Sequence, residues 1–132
     1  MQKEKHSILV IEDDEFMASL LGFMLARQNL QVTRVADGQA ALAQLDGDQV
    51  PDAVVLDLML PQVSGMQVLE GMKARQGWTD TPVLVLSALD TGGEIARAFH
   101  AGASDYVTKP FNPEEFMARL MRLLPRLPRQ GA

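Results

Sequence analysis

Cysteine is absent from the 132 residues. Disulfide frameworks, thiolate metal sites and cysteine nucleophiles are therefore excluded. Histidine is nearly absent too: His6 and His100 stand far apart, with no spacing that pairs them as metal ligands. One Trp and one Tyr offer no aromatic cofactor box, whereas eight Met point to an adaptable aliphatic core. No apolar run approaches the roughly 20 residues of a membrane helix. The polar start "MQKEKHS" leads straight into a short apolar run, unlike a signal peptide. These absences predict a soluble, cytoplasmic protein with no membrane partner. The formal charge of −5 argues against direct nucleic-acid binding.

What is present suits one domain with one sizeable core, since 47% of the residues are hydrophobic. Strand-length apolar runs fall at residues 8–11, 32–35, 53–56, 83–86 and 105–107. The first, third and fourth are continuously apolar, as parallel strands covered on both faces should be. Helices with readable starts lie between them. Asp14 caps a first, with Phe16, Leu20, Phe23 and Met24 as its recurring apolar positions. Asp37 begins a second, running through Ala40, Ala41 and Leu45 to Gly47. Ser64 and Gln67 form a capping-box pattern for a third, with Val68, Leu69 and Met72 inward. Thr91 and Glu94 open a fourth that stops at Gly102. Asn112, Pro113 and Glu115 open a fifth that buries Phe116, Leu120 and Leu123. Five βα units in a row predict a doubly wound parallel sheet with helices on both faces. The domain is expected over residues 1–124, with 125–132 as a tail.

In open α/β sheets, ligands sit beyond the carboxyl ends of the strands. Glu12 and Asp13 follow the first strand, Asp57 the third, Ser87 the fourth and Lys109 the fifth. Carboxylates brought together on one rim need a cation. With only oxygen donors on offer, Mg²⁺ (or Mn²⁺) is the natural one. Lys109 and Ser87 add a positive charge and a hydroxyl for an incoming phosphoryl group. Asp57 interrupts an apolar run, a costly place for an unpaired carboxylate, and reads as a nucleophile forming an aspartyl phosphate. Asp14 and Glu15 read as helix-start residues. The arginines 119, 122, 126 and 129 read as a solvated face near a helix C-terminus.

The stretches "ILVIEDD", "VVLDLMLPQVSG", "VLVLSA" and "AGASDYVTKPF" occur in this order, each at a strand end. Together they resemble the receiver domain of bacterial two-component response regulators, the family that includes the chemotaxis-type switch. The resemblance implies a flavodoxin-like (βα)5 sheet of order 2-1-3-4-5. It implies that Asp57 is the phosphoacceptor of a sensor histidine kinase or phosphotransfer protein. Asp13 would be a direct metal ligand, Glu12 a second acidic ligand, direct or through water, and the Met59 carbonyl a further one. Lys109, before a cis Pro110, and Ser87 would contact the phosphoryl group. Tyr106 would turn from exposed to buried and alter the surface of the fourth helix, fifth strand and fifth helix. Such a protein transfers a phosphoryl group to itself and sheds it; it is a switch rather than a turnover enzyme. Its output would be a downstream protein target or an output domain outside this chain, with a phosphorylation-linked homodimer as one form. Ser104-Asp105-Tyr106 departs from the Asp-Asp-Tyr of receivers that dimerise through that face.

Two other phosphate chemistries fit poorly. A flavin-phosphate loop after the first strand would not read "EDDE", and a haloacid-type phosphatase needs Asp-x-Asp where this chain has Asp57-Leu58-Met59. The alternative reading is a receiver-like interaction module that works without phosphate.

Overall fold

The computed structural model describes residues 5–125. The chain alternates β1 (Ser7–Ile11), α1 (Glu15–Arg27), β2 (Gln31–Val35), α2 (Gly38–Gln44), β3 (Ala53–Leu56), α3 (Gly65–Ala74), β4 (Val83–Ser87), α4 (Gly92–His100), β5 (Asp105–Thr108) and α5 (Pro113–Leu123). All five strands are parallel, in the order β2-β1-β3-β4-β5. The fold expected from the sequence is the fold found.

Side chains alternate across a strand, and here the alternation divides the core in two. Leu9, Ile11, Val54, Leu56, Val83 and Val85 face α2, α3 and α4, joined by Leu69, Met72 and Trp78. Ile8, Val10, Val55, Leu84, Leu86 and Val107 face α1 and α5, where Leu21, Leu25, Phe116 and Leu120 meet them. Burial on both faces explains the unbroken apolar runs of β1, β3 and β4. β2, at the edge, is half covered and carries polar residues.

The helix starts follow their caps. Asp14, Asp37, Ser64, Thr91 and Asn112 each accept the N–H three residues on. Only at Ser64 is the box reciprocal, the Gln67 amide oxygen accepting the Ser64 N–H at 2.9 Å. α2 stops at Gln44 rather than Gly47, its last residues passing into a turn. α4 ends at His100, and Gly102 follows at φ +116°.

The recurring apolar positions of α1 are only partly the ones it buries. Phe16 and Phe23 are 76% and 63% exposed, Leu20 is 36% exposed and Met24 packs partly against the core, while Ala18, Leu21 and Leu25 are buried. The segment EFMASLLGFMLAR is apolar around most of its circumference, so a 3.6-residue period fits two stripes. Docking against the sheet selects one.

Of the arginine series, Arg122 is 70% exposed and Arg119 41%, so the solvated face is there, but both also carry a contact inward. Arg119 Nη1 donates to both Asp105 carboxylate oxygens at 3.0 Å, and Arg122 Nη2 to one at 3.3 Å. Asp105 is buried at the start of β5, so these two guanidinium groups tie α5 to the sheet. Positions 126 and 129, and the tail beyond Pro125, lie outside the described residues.

Candidate functional site

The strand order reverses between β1 and β3, and their carboxyl ends lie side by side there. Ile11 pairs with Leu56, and the Asp57 N–H extends the ladder to the Ile11 carbonyl at 3.1 Å. Glu12, Asp13 and Asp57 are thereby brought together: each offers a carboxylate oxygen, and the three lie within 4.8 Å of one another. Glu12 is 2% exposed and Asp57 6%, whereas Asp13 faces solvent.

Lys109 reaches this group from the end of β5. Its Nζ donates to Glu12 Oε1 at 2.6 Å and to Asp57 Oδ2 at 3.0 Å. The Lys109–Pro110 bond is cis, and the Lys109 N–H is anchored on the Ser87 carbonyl at 2.9 Å. Burial works against the ammonium, but its hydrogen bonds to Glu12 and Asp57 prevail and raise its pKa. Burial pushes the Glu12 carboxyl up to about 7; Lys109 pulls the other way and the Asp57 charge adds to the rise. Three carboxylates against one ammonium leave negative charge at the site. An all-oxygen donor set, two of its members buried, fits a hard divalent cation, with Glu12, Asp13 and Asp57 as holders.

The remaining predicted residues line the same rim. Asp57 Oδ1 accepts the Met59 N–H at 2.9 Å, and the Met59 side chain lies outward. Ser87 is fully buried, and its Oγ accepts the Leu89 N–H at 3.3 Å. Tyr106 is buried, its hydroxyl donating to the Leu89 carbonyl at 2.6 Å. Burial is the main reason its phenol is held above the ordinary value. The inward arrangement of Tyr106 is thus the one present, and the Leu89 main chain, through its N–H on one side and its carbonyl on the other, joins it to Ser87.

Two residues escaped the sequence reading. Arg34, on β2, donates from Nε and Nη2 to the Glu12 carbonyl at 3.1 and 2.8 Å, and from Nη2 to the Asp13 carbonyl at 3.4 Å. Nothing in an exposed edge-strand arginine signals this. Gly65 was legible only as part of a helix start. A Cβ there would lie 2.3 Å from the Asp57 carbonyl oxygen and 2.4 Å from the Leu58 Cα. No side chain fits between α3 and the segment that carries Asp57.

Residues 8–121 match the family model for the response regulator receiver domain. The sensory transduction protein RegX3 of Mycobacterium tuberculosis is 40% identical over 120 residues, covering 91% of this chain and 51% of RegX3. The chain spans about half the length of the curated relatives it matches. A putative response regulator from Chloroflexus aurantiacus superposes with a TM-score of 0.86 at 32% identity, over 93% of this chain and all of the other. The receiver domain of the sensor histidine kinase PA1611 from Pseudomonas aeruginosa, solved with magnesium coordinated in its active-site cleft, gives 0.82 at 29% identity, over 90% and 97% of the two chains. Sheet order, rim chemistry and a match over most of the chain lead to one conclusion: this chain belongs to the response regulator receiver domain family of two-component systems.

Proposed function

We propose that the domain is a phosphorylation-dependent switch in which Asp57 accepts a phosphoryl group from a phosphohistidine of a sensor histidine kinase or phosphotransfer protein. The observation that carries this reading is the position of Asp57: buried, within reach of two further carboxylates, and hydrogen-bonded to Lys109. An Asp57 oxygen attacks phosphorus, an O–P bond forms, and the N–P bond to the donor imidazole breaks. Glu12, Asp13, Asp57 and the Met59 carbonyl would hold Mg²⁺ (or Mn²⁺), which offsets charge on the phosphoryl oxygens when bound. The Lys109 ammonium already touches Asp57 and needs little movement to meet a phosphoryl oxygen. Ser87 Oγ accepts the Leu89 N–H, and its O–H, which faces the Tyr106 hydroxyl in this state, would turn to donate to the phosphoryl group. A pull on Ser87 reaches Tyr106 through the Leu89 main chain and from there the surface formed by α4, β5 and α5. The domain occupies residues 1–124 in this reading and 125–132 form the tail. Its output passes to a protein target or to an output domain outside this chain, and the compartment is the cytoplasm. Among the described residues no helix is long and apolar enough to cross a membrane.

Acetyl phosphate with Mg²⁺ should retard the protein on a Phos-tag gel, and Asp57→Ala should abolish the shift. An unshifted wild-type protein at millimolar Mg²⁺ would leave the phosphate-independent module as the better account.

A further inference from the structure

The guanidinium of Arg34 presents a physical puzzle. It is a permanent cation on the rim of a site whose carboxylates call for a metal cation, so by charge alone it opposes metal binding. Arg34 forms no ion pair among the described residues; its three hydrogen bonds go to main-chain carbonyls. Those carbonyls belong to Glu12 and Asp13, two of the three carboxylate residues of the site.

The surrounding backbone shows what the contact does. β1 ends at Ile11, and one further ladder bond, from the Glu12 N–H to the Val35 carbonyl at 3.2 Å, continues toward β2. α1 begins only at Glu15, capped by Asp14. The peptides after Glu12 and Asp13 therefore lie between two regular elements. There the Glu12 carbonyl takes two donors from one planar fork at 3.1 and 2.8 Å. A planar fork fixes direction as well as distance. Its root is rigid, because Arg34 pairs with Val10 in the β1–β2 ladder.

We infer that Arg34 is a positioning residue for the metal site: bonded to the Glu12 and Asp13 carbonyls, it orders the backbone from which both acidic side chains project. This rests on the proposed metal reading of the site and assigns the ordering of two of its ligands to a residue of the neighbouring strand. Charge and position then predict opposite signs. If the charge dominated, removing it would tighten Mg²⁺ binding. If the ordering dominates, removing it weakens binding despite the relief of repulsion.

The test is a calorimetric Mg²⁺ titration of the wild type, Arg34→Met and Arg34→Lys at fixed ionic strength. Amide hydrogen exchange in EDTA and urea midpoints are measured on the same three proteins. Arg34→Met, which keeps an apolar stem and loses both charge and donors, should weaken Mg²⁺ binding about tenfold, the lower end of losses seen for supporting residues of metal sites. Arg34→Lys, which keeps the charge and one donor group, should recover part of that loss. Exchange at Asp13 and Asp14 should accelerate in Arg34→Met while the amides of β3 and β4 keep their protection. Unchanged or tighter Mg²⁺ binding by Arg34→Met, with a wild type that binds, overturns the inference and leaves the metal site intact. A wild type that binds no Mg²⁺ at millimolar concentration overturns the metal reading itself and this inference with it.

Discussion

Glu12 shows how a single residue is set by its surroundings. Its carboxyl is buried beside Asp57, which holds its pKa at about 7 against an ordinary 4.5. A carboxyl raised in the folded state binds its proton more tightly there than in the unfolded chain. Its contribution to stability is therefore full below about pH 4.5 and is lost as pH rises through 7. A divalent ion at the site competes with that proton, so Mg²⁺ affinity should rise from pH 6 to pH 8. Binding near pH 6.5 should release protons, which titration in two buffers of different ionisation enthalpy counts. No proton release would mean that Glu12 is already ionised in the metal-free protein. Gly65 makes the complementary case, a residue set by what it lacks. Gly65→Ala would drive a methyl against main-chain atoms of Asp57 and Leu58, and main chain yields poorly. We expect a loss of about 1–3 kcal/mol in urea unfolding and slower phosphorylation by acetyl phosphate.

At the scale of elements, α1 carries two apolar stripes and buries one. Leu21 and Leu25 are fully enclosed against β1 and the rest of the α1–α5 layer. Leu21→Ala should cost about 2–5 kcal/mol. Phe16→Ser should stay within about 0.5 kcal/mol, because most of that ring lies in water. Urea denaturation of the two variants distinguishes the faces; equal losses would mean that α1 docks differently. Phe23 has more to lose than Phe16, since the Arg27 guanidinium lies 5.7 Å from its ring centroid. The other helices were easier to read. α3 and α5 announce both their caps and most of their buried residues, because their outer faces carry Glu, Lys, Arg and Gln; only Leu123, expected inside, is half-buried.

For the molecule as a whole, the question is whether activation changes its association state. Asp105 joins β5 to Arg119 and Arg122 of α5 within the chain, on the surface that Tyr106 would influence. Beryllofluoride, a phosphoryl mimic, should raise the sedimentation coefficient toward that of a dimer if phosphorylation drives pairing through this face. Unchanged sedimentation at tens of micromolar protein would confine the switch to a monomer that docks on another protein.

The βα alternation, the helix starts and the set of rim residues are legible in the order of the amino acids alone. Each depends on local rules: apolar period, capping chemistry, and the fact that residues after parallel strands share one edge. The sequence also carried enough of the family's motifs to imply the strand order. It could not determine which stripe of α1 turns inward, since both satisfy the period. Nor could it show that Arg119 and Arg122 reach a buried Asp105, or that Arg34 holds the Glu12 and Asp13 carbonyls from the next strand. Those contacts join residues 14, 17, 22 and 21 positions apart. They arise on folding, because only the packing of helices on the sheet and the β1–β2 register bring such groups within hydrogen-bonding distance.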